Sequence, residues 1–486
     1  MSPMKKIAKM YRKRFLNSRL INLLAVFGLF FCGAINADQI SQNSDIVEIL
    51  KARIDNGYNI GIVVAVISPS GTKFYAAGKL SRQQNSPFVD QHTLFPIASI
   101  TKVFTTLLFA EFLQNNSLKL NDFAQDYLPK TVNFPKYQNK QITLEQLATH
   151  TSGLPVTPGV IKDFNTQKLY DFLNHYELMC APGTQYEYSD LGMGLLGDIL
   201  SQNANMSYEN LVKIQITHPL NMEDTKIDLS SDDKQRLSIG YNATDQQVSY
   251  TQWPILKGAG ALYSSAYDLS LFLEANLGIK KTNLYPAMLL THKPRYSEGK
   301  PAVDLDFPGV EKLTIGLGWN IDELHKIIWK NGNIPGFSSF IGFDSHQKLG
   351  VVVLANTGNV IYTDNLGLHI LNPELALFPV YKTSYINPKI LDLYSGKYRV
   401  SDGSYYIFIK ENNCLKAQHV TQQYTSDYFN IYPMSHTKFF GKIDNAVFRF
   451  KVNKSGSVSF VLDENGTQKS ASKIFTPSPR RHCDAE

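Results

Sequence analysis

The 486-residue chain is 43% hydrophobic and 19% charged and holds four cysteines, the composition of an ordinary globular protein with room for two or more domains, and not of a disulfide-built scaffold. Its formal charge of +6 is concentrated at one end, because residues 1–37 hold Lys5, Lys6, Lys9, Arg12, Lys13, Arg14 and Arg19 with no acidic residue. Without them the balance falls to about −1, so the basic excess belongs to this segment and implies no nucleic-acid partner.

The basic segment runs into the apolar stretch 23–35, the pattern of an export signal, with Ile35-Asn36-Ala37 as an acceptable cleavage site. Retention of the signal as an uncleaved anchor would be the chain's one route to a membrane. Cys32 is a poor lipidation site because bulky Phe30 and Phe31 precede it. Residues 45–54 then predict an amphipathic helix and 60–67 a buried strand rich in β-branched residues, turned by Ser68-Pro69-Ser70-Gly71 into a second strand over 72–77. After Phe95-Pro96 an apolar run of helical spacing begins, and the chain becomes mainly helical. Thr143-Leu144-Glu145-Gln146 has the form of a capping box, and Ser265 with Asp268 repeats it before a helix over 269–277. From residue 313 the period changes again, and 313–319, 326–329, 337–343 and 349–354 read as strands followed by a closing helix over 364–371. A helical middle between strand-rich ends predicts an antiparallel sheet built from both ends of the chain and flanked by helices.

A composition shift follows Pro379. Residues 381–388 read as a linker, and from 391 onwards short polar-aromatic strands alternate with turns at Asp402-Gly403, Asn412-Asn413, 453–456 and Asn465-Gly466. This predicts a small all-β domain whose Tyr and Phe residues form its own core. Cys180, Cys414 and Cys483 remain after signal removal, an odd number without metal-ligand spacing, and an oxidising compartment would permit a Cys414–Cys483 bridge. The expected divisions are therefore 1–37, 38–380 and 388–486.

The candidate chemistry sits at the start of the apolar helix. Ser99 falls in its first turn, and Lys102, three residues on, shares its face, so the amine can hold or remove the hydroxyl proton. An apolar wall pushes the lysine towards its neutral, basic form, and the helix N-terminus favours negative charge near the serine. The spacing by itself is weak, since Ser2/Lys5, Ser231/Lys234, Ser345/Lys348, Ser435/Lys438 and Ser470/Lys473 share it. Ser99 alone opens a long apolar helix, where a buried lysine needs a reason. No Gly-x-Ser-x-Gly elbow, His-Glu-x-x-His helix or phosphate-binding Gly-x-x-x-x-Gly-Lys-[Ser/Thr] loop is present, and the eleven histidines are scattered. A nucleophilic enzyme here would use lysine or tyrosine as its base, with no metal and no cofactor. Two later segments fit that need. Tyr188, before an apolar helix over 191–200, would have a lowered pKa between two lysines and relay a proton. Lys330, at a strand end followed by Asn331-Gly332-Asn333, offers a fixed cation beside a glycine that lets a substrate approach the backbone.

In this order and at these separations, Ser99/Lys102, Tyr188/Asp190 and Lys330/Asn331/Gly332 resemble the three motifs of the penicillin-recognising serine hydrolases. The tyrosine points to the branch of class C β-lactamases and AmpH-type D-alanyl-D-alanine carboxypeptidase/endopeptidases. The segments 147–155, 219–225 and 258–265 are similar to family text, and the resemblance covers about 60–371. It implies an α/β (α+β) sandwich of the β-lactamase/transpeptidase type, with the small C-terminal β domain appended; the signal segment makes the expected compartment an exported one, periplasmic or extracytoplasmic. It also implies acyl transfer through a Ser99 ester, with Lys102 and Tyr188 sharing the proton transfers and Lys330 binding a substrate carboxylate. The backbone N–H groups of Ser99 and Asn333 would form the oxyanion hole, with Gly332 and Asp190 beside the substrate. His150 and Ser152 are expected to be structural.

Two residues depart from the family pattern: Asp190 stands where Asn is usual, and Asn331 where Thr or Ser is usual. An Asn amide donates and accepts, whereas an ionised Asp only accepts and favours the protonated lysine. Asp190 is thus either a brake on the base or a structural ion-pair partner. The expected substrates are β-lactams or peptidoglycan peptides ending in D-alanine. An esterase or D-amino-acid amidase on the same scaffold, and a penicillin-binding sensor without turnover, are the alternatives.

Overall fold

The computed structural model describes residues 37–159, 164–298, 312–422, 424–443, 445–464 and 466–474; the expected export signal before Ala37, Asn465 and Cys483 lie outside these residues. The first helix, α1 (Ala37–Asp55), is longer than the sequence predicts and puts Ile46 and Leu50 into an apolar core. Strands β1 (Gly61–Ser68) and β2 (Gly71–Gly78) follow as a hairpin, close to the predicted bounds.

The sheet is completed more than two hundred residues later by β3 (Tyr296–Glu298), β4 (Leu313–Ile315), β5 (Asn320–Asp322), β6 (Ile327–Ile334), β7 (Phe337–Asp344) and β8 (Leu349–Ala355). Its order is β2-β1-β8-β7-β6-β5-β4-β3, and every neighbouring pair is antiparallel. The stretch 313–319, expected as one strand, is a strand and a turn. Gly316 N donates to Trp319 O, and Gly318 takes a positive φ of 73°, a conformation open to glycine, so the chain reverses between β4 and β5. The turn packs on the central helix, where Thr106 Oγ1 donates to Leu317 O at 2.9 Å.

Burial on both faces explains the near-continuous apolar text of β1, β7 and β8. Alternate residues of β1 serve two cores: Val63, Ala65 and Ile67 face the helical layer, while Ile62 and Val64 join Ile46, Leu50 and residues of α5 (Val360–Leu371) on the other face. The helical layer is built around α2 (Thr101–Gln114), buried all round from Thr101 to Ala110, with α3 (Asp190–Ala204) and α4 (Ala266–Asn276) against it or the sheet. Local signals hold here: Thr143 and Gln146 form the capping box, and the Ser265 side chain accepts from Asp268 N.

Past the eight-stranded sheet, helix α6 (Lys389–Tyr394) leads into eight strands: β9 (Gly396–Val400), β10 (Tyr405–Glu411), β11 (Cys414–Val420), β12 (Phe429–Pro433), β13 (Lys438–Gly441), β14 (Ala446–Val452), β15 (Val458–Glu464) and β16 (Thr467–Lys473). They form an up-and-down meander that β16 closes by pairing with β9, a barrel. Aromatic rings fill it: Phe408 meets Tyr398, Phe448, Phe450 and Phe460 edge to face at 5.3 to 5.6 Å. The barrel touches the rest of the chain through Phe440 and Val447, which share a buried cluster with Tyr58, Tyr362 and Phe378. Beside it, Tyr432 donates to Asp245 Oδ2 at 2.7 Å. Among the described residues, no helix is long and apolar enough to cross a membrane.

Candidate active site

Phe95 and Pro96 pair with Ser264 and Tyr263 in a two-residue ladder, and Ile97 N donates to Leu262 O, so the chain reaches Ser99 from a fixed direction. Ala98 has φ 47°, a left-handed conformation disfavoured for a residue with a Cβ, and Ala98–Ile100 form a 3₁₀ turn before α2. Ser99 therefore lies in a tight turn leading into the helix, one step ahead of the α-helical first turn that its sequence suggests. The turn rests on β6: Ser339 Oγ donates to Ile97 O at 3.0 Å, and a Cβ on Gly332 would lie 2.2 Å from that oxygen. Only glycine fits there.

Lys102 is completely buried, and its ammonium makes three hydrogen bonds: to Ser99 Oγ at 2.9 Å, to Asp190 Oδ1 at 2.6 Å and to Ala259 O at 2.6 Å. Burial lowers its pKa, opposed by the charge of Asp190 and its hydrogen bond. Ala259 ends a short turn held by Thr105 Oγ1, which donates to Gly258 O at 2.7 Å, and by Gly258 lying against Gly197 of α3.

Tyr188 OH donates to Ser99 Oγ at 2.6 Å, so the nucleophile receives hydrogen bonds from both candidate bases. Lys102 Nζ and Lys330 Nζ each lie 5.0 Å from the Tyr188 ring centroid. The tyrosine is aimed by its neighbour: Ser189 caps α3, accepting from Gly192 N and donating to Pro155 O. His150 completes the seat. Its Nδ1 accepts from Ser189 N at 3.1 Å, its carbonyl accepts from Glu187 N, and its ring lies 4.4 Å from that of Tyr188. Burial, then Lys330 and Lys102, hold this imidazole neutral, its pKa well below the usual histidine value.

Lys330 is buried on β6, and among the described residues no acceptor lies within hydrogen-bonding distance of its amine. Burial pulls its pKa down to about 7, Lys102 pulling the same way and Asp190 and Asp364 opposing. Asn331 Nδ2 donates to Asp364 Oδ2 at 2.6 Å, and Asp364 is a buried carboxyl of α5 held well above the usual carboxylate range by desolvation. Asn333 is exposed at the end of β6.

Ser99, Lys102, Tyr188, Asp190 and Lys330 thus gather in one place, with Gly332 packed beneath the nucleophile. Sequence reasoning missed Asp364 and the Ala259 carbonyl, whose tie to the site is a matter of long-range packing. It placed His150 in a structural role without finding that its ring supports Tyr188.

Residues 46–365 match the family profile described as Beta-lactamase. A Beta-lactamase of Pseudomonas fluorescens is 28% identical over 61% of this chain and 88% of its own length. The D-alanyl-D-alanine-carboxypeptidase/endopeptidase AmpH of Escherichia coli (strain K12) is 28% identical over 68% of this chain and 89% of its own. A solved class C beta lactamase superposes with a TM-score of 0.59 at 23% identity, over 67% of this chain and 96% of that one. The Beta-Lactamase/D-Alanine Carboxypeptidase from Pseudomonas syringae gives 0.57 at 24% identity, over 66% and 95%. With the matched region enclosing the sheet, the central helix and the serine on which a lysine and a tyrosine converge, the chain belongs to the β-lactamase family and is a serine hydrolase of the penicillin-recognising kind.

Proposed function

We propose that the protein is an exported acyl-transfer enzyme that opens β-lactams or cleaves D-alanyl-D-alanine peptides through an ester on Ser99. The observation that carries this reading is the convergence of Lys102 Nζ and Tyr188 OH on Ser99 Oγ at 2.9 and 2.6 Å. Ser99 Oγ attacks the carbonyl, its proton passes to the neutral Lys102 amine, and Tyr188 hands a proton to the departing nitrogen. The N–H groups of Ser99 and Asn333 receive the oxyanion. Water then attacks the ester by the same proton path in reverse. Purified protein offered a fluorescent penicillin, a D-Ala-D-Ala peptide and a p-nitrophenyl ester in parallel tests the reading, and turnover of the ester alone would replace it. That esterase alternative draws on one observation: Asn331 gives its amide to Asp364, and so does not offer it to a substrate as the usual hydroxyl would.

Lys330 sets a pH dependence. Its pKa is lowered to about 7 in the free enzyme, so the cation that attracts a substrate carboxylate is present below that pH and lost above it. The ratio of kcat/KM for a carboxylate-bearing substrate to that for a neutral ester should fall as pH rises through 7, because the ester shares every other titration. A ratio that stays level from pH 6 to 9 would remove Lys330 from carboxylate binding.

The domain division is part of the same proposal: residues 38–380 carry catalysis, 388–486 are a second domain whose strands from Gly396 to Lys473 form the barrel, and α6 belongs with the barrel because Leu391 and Tyr394 sit in its core. A chain ended after Val380 should fold and acylate, with a melting temperature lower by several degrees because Tyr58, Tyr362 and Phe378 lose their apolar cover. An insoluble or unreactive product would make the barrel an integral part of the catalytic fold.

A further inference from the structure

Asp190 uses one carboxylate oxygen, Oδ1, to accept from Lys102. Among the described residues its other oxygen has no hydrogen-bond partner, and the side chain is 23% exposed. That exposure opens into a cleft of about 220 Å³ whose walls include Val156, Pro158, Phe164, Leu191, Trp253 and Leu256. Among the described residues, Asp190 is the one charged side chain in the cleft lining, whose other polar side chains are Thr157 and Gln252. The cleft is tied to the catalytic turn: a Cβ on Gly260 would lie 2.5 Å from the Trp253 ring, and the preceding carbonyl, of Ala259, holds Lys102. Leu191, next to Asp190, donates its N–H to Val156 O.

An apolar cleft with a half-used carboxylate in its lining selects a particular acyl group. A carboxylate accepts and cannot donate, so it favours a substrate that brings a donor, and most of all one that brings a positive charge. We propose that the preferred acyl donors carry a free ammonium on the carbon beside the reacting carbonyl and an apolar side chain that fills the cleft. This rests on the reading of Ser99 as the acylated residue. Among the described residues, the charged groups that act on Asp190 are Lys102 and Lys330, both of which also lie 5.0 Å from the Tyr188 ring. A substrate ammonium at the free oxygen adds a cation near Lys102 and weakens the hold of Asp190 on its proton. Both effects favour the neutral amine that the acylation step needs. The carboxylate then restrains the base in the empty site and releases it when the matching substrate arrives.

The p-nitrophenyl esters of phenylalanine and 3-phenylpropionic acid differ by one ammonium on the carbon beside the reacting carbonyl, and those of leucine and 4-methylpentanoic acid differ in the same way. Acylation rates for both pairs, each corrected for spontaneous hydrolysis, should favour the amine-bearing member by about tenfold in the wild type. In Asp190→Asn, which keeps the size of the side chain, both ratios should fall towards one. Equal rates within both pairs in the wild type, or a preference that survives Asp190→Asn, would overturn the inference while leaving Ser99 chemistry standing. Failure of all four compounds to acylate Ser99 would overturn the underlying reading and this one with it.

Discussion

Replacement of Ser99 by alanine is expected to abolish acylation, and Lys102→Met to slow it by about a thousandfold or more, the scale of a lost general base at an otherwise intact site. Methionine is the useful substitute because it preserves most of the buried volume, whereas alanine would open a cavity in a helix buried all round. It leaves Asp190 Oδ1 and Ala259 O without the donor that now serves both, so some stability is lost as well. Thermal unfolding separates the two effects: a folded Lys102→Met protein with a slow reaction assigns the loss to chemistry. Mass spectrometry after brief exposure to a penicillin should find one adduct, on the Ser99 peptide. The same adduct in Ser99→Ala would refute the assignment of the nucleophile.

Gly332→Ala should cost about a hundredfold in kcat/KM, although the glycine contributes no functional group. A methyl at this position would lie 2.2 Å from Ile97 O and 2.5 Å from Ser339 Oγ, closer than any Cβ can come. Either β6 or the Ile97–Ser99 turn must move. Each movement changes the separation between the Ser99 and Asn333 N–H groups and the distance from Ser99 Oγ to Lys102. Gly403→Ala, in a barrel turn with nothing within 4 Å of the added atom, is the control for strain alone and should leave the rate unchanged. A Gly332→Ala enzyme with wild-type kcat/KM would show that the nucleophile turn tolerates displacement of the strand.

What the sequence discloses about this molecule is mainly local. Thr143/Gln146 and Ser265 are caps that act within four residues, and the barrel's glycine and asparagine turns act within a hairpin, so both can be read from the chain text. Ser99 and Lys102 belong to this class, three residues apart on one turn. The 313–319 segment misleads because Leu313, Ile315, Leu317 and Trp319 alternate as a strand would, while the reversal at Gly316 to Gly318 is decided by packing against Thr106, more than two hundred residues away. The same limit hides the contact of Gly332 with Ile97, the bond from Asn331 to Asp364 and the acceptor role of Ala259. Closure of the small β domain into a barrel rests on β9 pairing with β16, which no local signal reports.

The order of strands in the catalytic sheet also governs how the chain acquires its structure. β1 pairs on one side with β2, its hairpin partner, but on the other with β8, where Ile62 lies opposite Ala355. A chain emerging N-terminus first can form the β1–β2 hairpin early, yet that hairpin has one paired side and little to pack against, and isolated hairpins are marginal. The central helix, too, lacks its sheet until β6 and β7 are made. Closing so long a loop must precede the contacts that reward it, which slows folding and prolongs exposure of the apolar strands. The nascent protein therefore cannot complete this sheet for most of its synthesis, and the sheet closes only when the last third of the catalytic region is available.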